Sequence, residues 1–103
     1  MIIVRQQKFD LIDWNQKQVE HIAKHNVKPE EVEQAVFEDR DNYIRRIERS
    51  RTFPERYIYN VLGRTEDGRY LAVILLDIGE GKAYCCSARS MEDSEKQLYQ
   101  DHS

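Results

Sequence analysis

The sequence has no apolar run approaching the roughly 18 residues that a membrane-spanning helix needs. Its opening Met1-Ile2-Ile3-Val4 is apolar but far too short for a signal peptide, and no small-residue cleavage pattern follows it. Both absences lead to the expectation of a cytoplasmic protein with no membrane association. Cysteine is confined to the adjacent pair Cys85 and Cys86. Neighbours on a strand point to opposite faces, which excludes an intramolecular disulfide and makes both residues strand filler. With no histidine at metal spacing beside them, zinc has nothing to hold. Glycine occurs four times and proline twice. None of the glycines forms a glycine-rich phosphate loop, which disfavours a small enzyme acting on phosphate ligands. Repeats, linkers and low-complexity tracts are also missing, so the 103 residues are expected to form one domain, residues 1–103.

Excess positive charge is lacking too. The formal net charge is −3, but it is unevenly spread. Residues 28–41 carry six acids and two bases, residues 90–103 four acids and one base, and residues 42–89 nine bases and six acids. A uniformly basic nucleic-acid binder would look different. A basic central segment flanked by acidic ones fits a phosphate ligand or a solvated surface of mixed sign.

That basic segment contains three β-rich runs separated by glycine-bearing turns. Arg56-Tyr57-Ile58-Tyr59-Asn60-Val61-Leu62-Gly63-Arg64 precedes a turn at Glu66-Asp67-Gly68. Residues 69–77 precede a turn at Gly79-Glu80-Gly81, and residues 82–89 follow. This is the signature of an antiparallel meander. The middle run, residues 71–76, is apolar on both alternations, which predicts a central strand covered on both faces.

Before the meander, a strand is expected over residues 8–12. Asp13 with Gln16 has the form of a capping box and opens a helix to about His25, with Trp14, Val19, Ile22 and Ala23 near one stripe. Asn26 suits the left-handed residue that ends it. Pro29 at the first helical position, followed by Glu30 and Glu31, opens a second helix. Val32, Ala35 and Val36 form its buried side. The short link makes a helical hairpin. Residues 39–42 read as a turn, 43–47 as a short edge strand and 50–55 as a loop. Ser90-Met91-Glu92-Asp93 opens a C-terminal helix to about Gln100. The order β-α-α-β-β-β-β-α argues for α+β: an antiparallel sheet of four or five strands, with helices on one face.

Arg64 and Arg89 end the first and third meander strands, which run the same way on either side of the central one. They would lie at one edge of the sheet if sequence neighbours pair. Two guanidiniums there would clamp a phosphodiester bidentately. Alternatively, each pairs with an acid such as Asp77. His21 and His25 share a helix face, but no third ligand is visible and no metal is expected. His25 suits either the helix C-terminus or acid–base work. Tyr57, Tyr59, Tyr70, Tyr84 and Tyr99 serve packing, or else base stacking or proton transfer.

Trp14-Asn15-Gln16-Lys17-Gln18, Lys24-His25-Asn26-Val27, Glu30-Glu31 and Val36-Phe37 together resemble the start of the BrnT family of toxins. Glu55-Arg56-Tyr57, Gly63-Arg64-Thr65, Gly68-Arg69 and Ser87-Ala88-Arg89 continue the pattern in order. The resemblance covers residues 13–99. It implies a RelE-like fold and a type II toxin, a ribonuclease that needs no metal or other cofactor and arrests translation by cutting RNA. It also implies a ribbon-helix-helix antitoxin of the BrnA kind as partner, with DNA engaged only through that antitoxin; a homodimer is compatible. Carried over residue by residue, Arg64, Arg89, His25, Lys17 and Asp77 become the catalytic candidates. Trp14, Lys24, Arg56 and Arg69 become the RNA-binding candidates. Two features depart from the family pattern: Asn26 stands where glycine is usual, and the last helix is acidic where it is often basic. The rival reading is a non-catalytic module of the same fold that docks a basic antitoxin-like partner through its acidic helices.

Overall fold

The computed structural model describes residues 8–102; residues 2–7 of the first apolar run lie outside them. The described residues form β1 (Leu11–Ile12), α1 (Gln16–Ala23), α2 (Pro29–Glu33) running into a π turn (Gln34–Glu38), β2 (Tyr43–Arg49), β3 (Tyr57–Arg64), β4 (Tyr70–Gly79), β5 (Lys82–Ser90) and α3 (Asp93–His102). The α+β class agrees with the sequence reading, and the element order agrees in part, since a π turn that was not expected follows α2. The sheet order is β1-β5-β4-β3-β2.

Two expectations are corrected. The sheet is mixed, not antiparallel, because β1 pairs with β5 in parallel, Leu11 opposite Lys82 and Ile12 opposite Ala83. The chain leaves β1 at one edge, crosses behind the sheet through α1 and α2, and re-enters as β2 at the other edge. The meander then brings β5 back beside β1, running in the same direction. Nor do the helices share one face. Ile22, Val32, Ala35 and Val36 pack with Val61, Leu71, Val73 and Leu75 on one side, whereas Met91 and Tyr99 pack with Leu62 and Ala72 on the other. Hereafter these are the hairpin face and the α3 face.

Strand β4 is central and buried along both alternations, as the sequence predicts. The turn before it is closed by the Gly68 N–H on the Thr65 carbonyl at 2.9 Å and by the Arg69 N–H on Thr65 Oγ1 at 3.0 Å. Gly63 is required by a close approach. A side chain there would collide with the Ala35 carbonyl oxygen, so the π turn lies directly on β3.

Both helix starts fall two residues later than the capping patterns suggested. Asn15, not Asp13, caps α1: its Oδ1 accepts the Gln18 N–H at 2.9 Å, and Gln18 Oε1 accepts the Asn15 N–H at 3.3 Å. At α3, Glu92 occupies the cap and its N–H donates to Glu95 Oε1 at 2.8 Å. The cause is the same in each case. Asp13 N–H still donates to the Ala83 carbonyl and Met91 N–H to the Tyr70 carbonyl, so the sheet retains both residues. The C-terminus of α1 follows expectation. Asn26 has φ 59°, and the Val27 and Asn26 N–H groups donate to the Ile22 and Ala23 carbonyls in a Schellman arrangement.

No helix among the described residues is long and apolar enough to cross a membrane.

Candidate nucleic-acid interface

Strand register decides which candidate residues meet. Arg64 lies opposite Tyr70, and Arg89 opposite Ala72. Residues 70 and 72 of one strand share a face, so both arginines stand on the α3 face at the same end of the sheet. Two strand spacings and two residues separate them, about 10 Å across and 7 Å along.

Their surroundings differ. Arg64 contacts no carboxylate within ion-pair distance among the described residues. Its guanidinium lies over the Tyr70 ring, 4.6 Å from the centroid, and Nη2 reaches the Gly68 carbonyl at 3.4 Å. Its backbone is fixed separately, because the Arg64 N–H donates to Asp39 Oδ2 at 2.8 Å. Asp39 is a junction: the Tyr99 hydroxyl donates to the same oxygen at 2.7 Å and the Asp41 N–H to the other at 2.9 Å. Burial, then the hydrogen bond to this carboxylate, push the Tyr99 phenol well above its ordinary value. Arg64, Asp39, Tyr99, Glu38, Asp41 and Glu66 line part of an open cleft of about 360 Å³.

Arg89 is already engaged. Nη1 and Nη2 donate to the two oxygens of Glu95 at 2.6 and 3.1 Å, and Nη1 also reaches the Ser90 carbonyl at 3.1 Å. The Glu95 hydrogen bonds raise the Arg89 pKa further above its ordinary value. Lys96, one residue on, lies 5.7 Å from the Tyr70 centroid, on the same ring that carries Arg64. The two arginines therefore share a surface without converging on a single point.

The remaining candidates lie elsewhere. Asp77, opposite Ala83, belongs to the hairpin face at the far end of β4. Its Oδ1 accepts the Gly79 N–H at 2.8 Å and Lys8 pairs with it at 3.6 Å. Arg56 also sits at that end, beside Phe53, Ile78 and Tyr84. His25, Lys17 and Lys24 lie on α1 or just beyond its end, behind the sheet. Lys17 borders a shallow pocket with His21 and Cys86, and the His25 ring stands edge-on to His21 with centroids 6.1 Å apart. Trp14 packs against the hairpin-side core, and its Nε1–H donates to Glu33 at 3.2 Å. Arg69 points to the hairpin side as a latch. It donates to the Asn26 and His25 carbonyls at 2.5 and 3.2 Å, to Ser90 Oγ at 3.3 Å, and to both Glu31 oxygens at 3.2 and 3.3 Å.

Sequence reasoning missed Asp39, Tyr99, Glu95 and Arg45 as neighbours of the arginine surface. Glu95 had a signal, as the third residue after a cap. Asp39 had none, since its partners lie 25 and 60 residues away. Of the adjacent thiols, Cys86 is the bulged, unpaired residue of β5. Cys85 is buried in the hairpin-side core, and burial pushes its thiol up to about 12; Cys86 is exposed at the edge of the Lys17 pocket. No group of three or more metal-ligating side chains occurs among the described residues.

No family model matches the chain, and no curated protein matches it.

Proposed function

We propose that the chain is an endoribonuclease toxin of the BrnT kind, with the RelE-like arrangement of that group, and that it engages RNA on the α3 face. The observation that carries this reading is the common face and common end of Arg64 and Arg89, with the Tyr70 ring under one of them. A guanidinium offers a planar fork to phosphate oxygens, and an aromatic ring beside it suits an unstacked base. In the reaction the 2′-oxygen attacks the adjacent phosphorus and the bond to the 5′-oxygen breaks. The products are a 2′,3′-cyclic phosphate and a 5′-hydroxyl that takes up a proton. Arg64 stabilises the charge growing on the non-bridging oxygens. His25 and Lys17, behind the sheet, are out of reach of this step, as is Asp77 at the opposite end. The proton of the 2′-hydroxyl therefore leaves to water or to a group on the α3 face. The natural partner in this reading is a ribbon-helix-helix antitoxin of the BrnA kind, and the setting is the cytoplasm.

Arg64→Ala is the decisive variant, because the Asp39 bond to residue 64 uses the backbone N–H and survives the substitution. Removing a charge-stabilising donor of this type costs about 10²- to 10³-fold in rate. Induced expression of the native chain is expected to arrest growth with loss of mRNA, and Arg64→Ala to relieve the arrest at unchanged melting temperature. Full toxicity of the variant would remove Arg64 from the site.

A second reading has one observation in its favour. The cleft beside Arg64 carries Glu38, Asp39, Asp41 and Glu66 against Arg40 and Arg64, a balance suited to a basic partner segment. On that reading the domain binds without cleaving, and its overexpression is harmless.

A further inference from the structure

The α3 face continues past the two arginines. One residue row crosses the sheet as Arg45, Asn60, Ile74 and Ser87 on β2, β3, β4 and β5. Arg89 stands in the neighbouring row, and Glu95 reaches down to it from α3. Glu95 lies between charges. Burial works to raise its carboxyl, but the Arg89 hydrogen bonds, the Glu92 N–H and the charges of Arg89 and Arg45 outweigh this and hold it below the ordinary carboxylate range. So a side-chain carboxylate already sits on the Arg89 fork, where a guanidinium favours an anion. Beside it, Asn60 directly opposes Arg45. Asn60 is only 6% exposed, yet its Oδ1 has no hydrogen-bond partner among the described residues. A buried acceptor left unpaired costs stability, and a donor on a bound ligand is one way to satisfy it.

We propose that the Arg89 fork is a phosphate subsite for single-stranded RNA that Glu95 occupies in the free protein, that Arg45 supports it by charge from the edge strand β2, and that Asn60 Oδ1 accepts a hydrogen bond from the bound nucleotide. The subsite rests on the ribonuclease reading for the choice of RNA, and adds Arg45, Asn60 and Glu95 to it. Incoming phosphate replaces the Glu95 carboxylate on the Arg89 fork. The bidentate geometry that holds Glu95 is the same fork that holds a phosphate. Glu95 is thus an internal competitor: it lowers affinity for RNA and keeps Arg89 from lying unpaired when no RNA is bound. A base amine or the 2′-hydroxyl supplies the donor for Asn60, which an inorganic anion lacks. This favours a nucleotide over phosphate alone.

The test uses a fluorescein-labelled single-stranded RNA of twelve nucleotides, with its 2′-hydroxyls kept, and anisotropy titrations at several salt concentrations. Glu95→Gln is the key variant, because glutamine preserves the capping contact to the Glu92 N–H and removes the charge. Glu95→Gln is expected to bind about three- to fivefold more tightly, the range of a partly exposed ion pair released. Its salt slope should steepen by roughly 0.7, the increment of one added phosphate contact on single strands. Arg45→Gln in the same background should reduce the gain, and Arg89→Gln should abolish it. Asn60→Ala should weaken binding of RNA without changing the salt slope or the affinity for inorganic phosphate. Unchanged or weaker binding by Glu95→Gln at unchanged melting temperature would overturn the proposal, and so would a failure of every variant to bind RNA. Weaker cleavage at unchanged binding would overturn it too, by making Glu95 a proton acceptor rather than a competitor. The two readings separate cleanly. A gain in binding by Glu95→Gln without cleavage by any form leaves the subsite and removes the nuclease. Cleavage by the native chain with no effect of Glu95→Gln on binding does the reverse.

Discussion

Arg69→Ala is expected to lower stability while leaving RNA contacts intact, although the family resemblance places Arg69 among the RNA-binding residues. The geometry sets the magnitude. Arg69 holds the His25 and Asn26 carbonyls, which lie just past the end of α1 and have no helical partner of their own. It also ties that end to Glu31 on α2 and Ser90 on β5. Hydrogen bonds from a charged donor contribute about 1.5–3 kcal/mol. The ion pair with Glu31 adds little, because the two side chains are 28% and 25% exposed and solvent screens such pairs to about 1 kcal/mol or less. Water reaches the freed carbonyls in the variant and recovers part of the loss. A net cost of about 2 kcal/mol follows, which lowers Tm by roughly 8–16 °C in a domain of this size. Urea denaturation and calorimetry measure it directly. Arg69→Lys keeps the charge but loses the fork, and should recover less than half of the deficit. A double-mutant cycle with Glu31→Gln should show coupling below about 1 kcal/mol. The salt slope for RNA binding should stay at the native value. Stability within about 0.5 kcal/mol of the native chain, together with a slope reduced by roughly 0.7, would refute the latch and make Arg69 a phosphate contact.

Gly63→Ala forces a methyl group against the Ala35 carbonyl, so β3 and the π turn must separate. A loss of about 1–3 kcal/mol is expected by chemical denaturation. Tyr99→Phe removes the 2.7 Å bond to Asp39 and should cost about 0.5–1.5 kcal/mol near neutral pH. The native chain should also lose stability as pH rises above about 10: an unfolded tyrosine ionises there, whereas the folded phenol, whose pKa is raised, stays protonated. That alkaline slope should be shallower in Tyr99→Phe, as followed by urea midpoints across pH. Burial raises the Cys85 thiol, and partial desolvation raises that of the more exposed Cys86. Thiol reagents at neutral pH should therefore modify Cys86 slowly and Cys85 only on unfolding, read as the number of labelled thiols against time.

The fold was more legible in the sequence than the site, and the reasons are local. The meander could be read because its turns need Gly68, Gly79 and Gly81 at positive φ, where side chains are rarely tolerated. Strand β4 could be read because burial on both faces leaves a continuous apolar run. The capping patterns point to Asp13 and Ser90, two residues early, because such a pattern does not reveal which N–H the sheet still holds. Parallel pairing of β1 with β5 depends on where the edge falls after one crossover and a four-stranded meander, which residues 8–12 do not encode.

The faces were harder still, and β5 shows why. Simple alternation puts Ala83, Cys85, Ser87 and Arg89 on one side, and Arg89 would then share its face with the core. The register shows otherwise: Leu75 opposes Cys85 and Ile74 opposes Ser87, leaving Cys86 unpaired between them. That bulge reverses the parity. Ala83 and Cys85 enter the hairpin-side core, while Ser87 and Arg89 emerge on the α3 face. A second irregularity at Ile47 does the same on β2, so that Tyr43, Arg45 and Glu48 stand together opposite Leu62, Asn60 and Ile58. Bulges of this kind re-aim side chains at sheet edges and near functional sites. Deleting Cys86 would restore strict alternation and impose a choice on β5, either to expose Ala83 and Cys85 or to turn Arg89 into the core. Burying an unpaired guanidinium is the costlier outcome. The N-terminal half of β5 should therefore lose its packing, and labelling of Cys85 should become as fast as in the unfolded chain. Slow labelling of Cys85 with native stability in the deletion variant would show that the bulge does not set the face of Arg89.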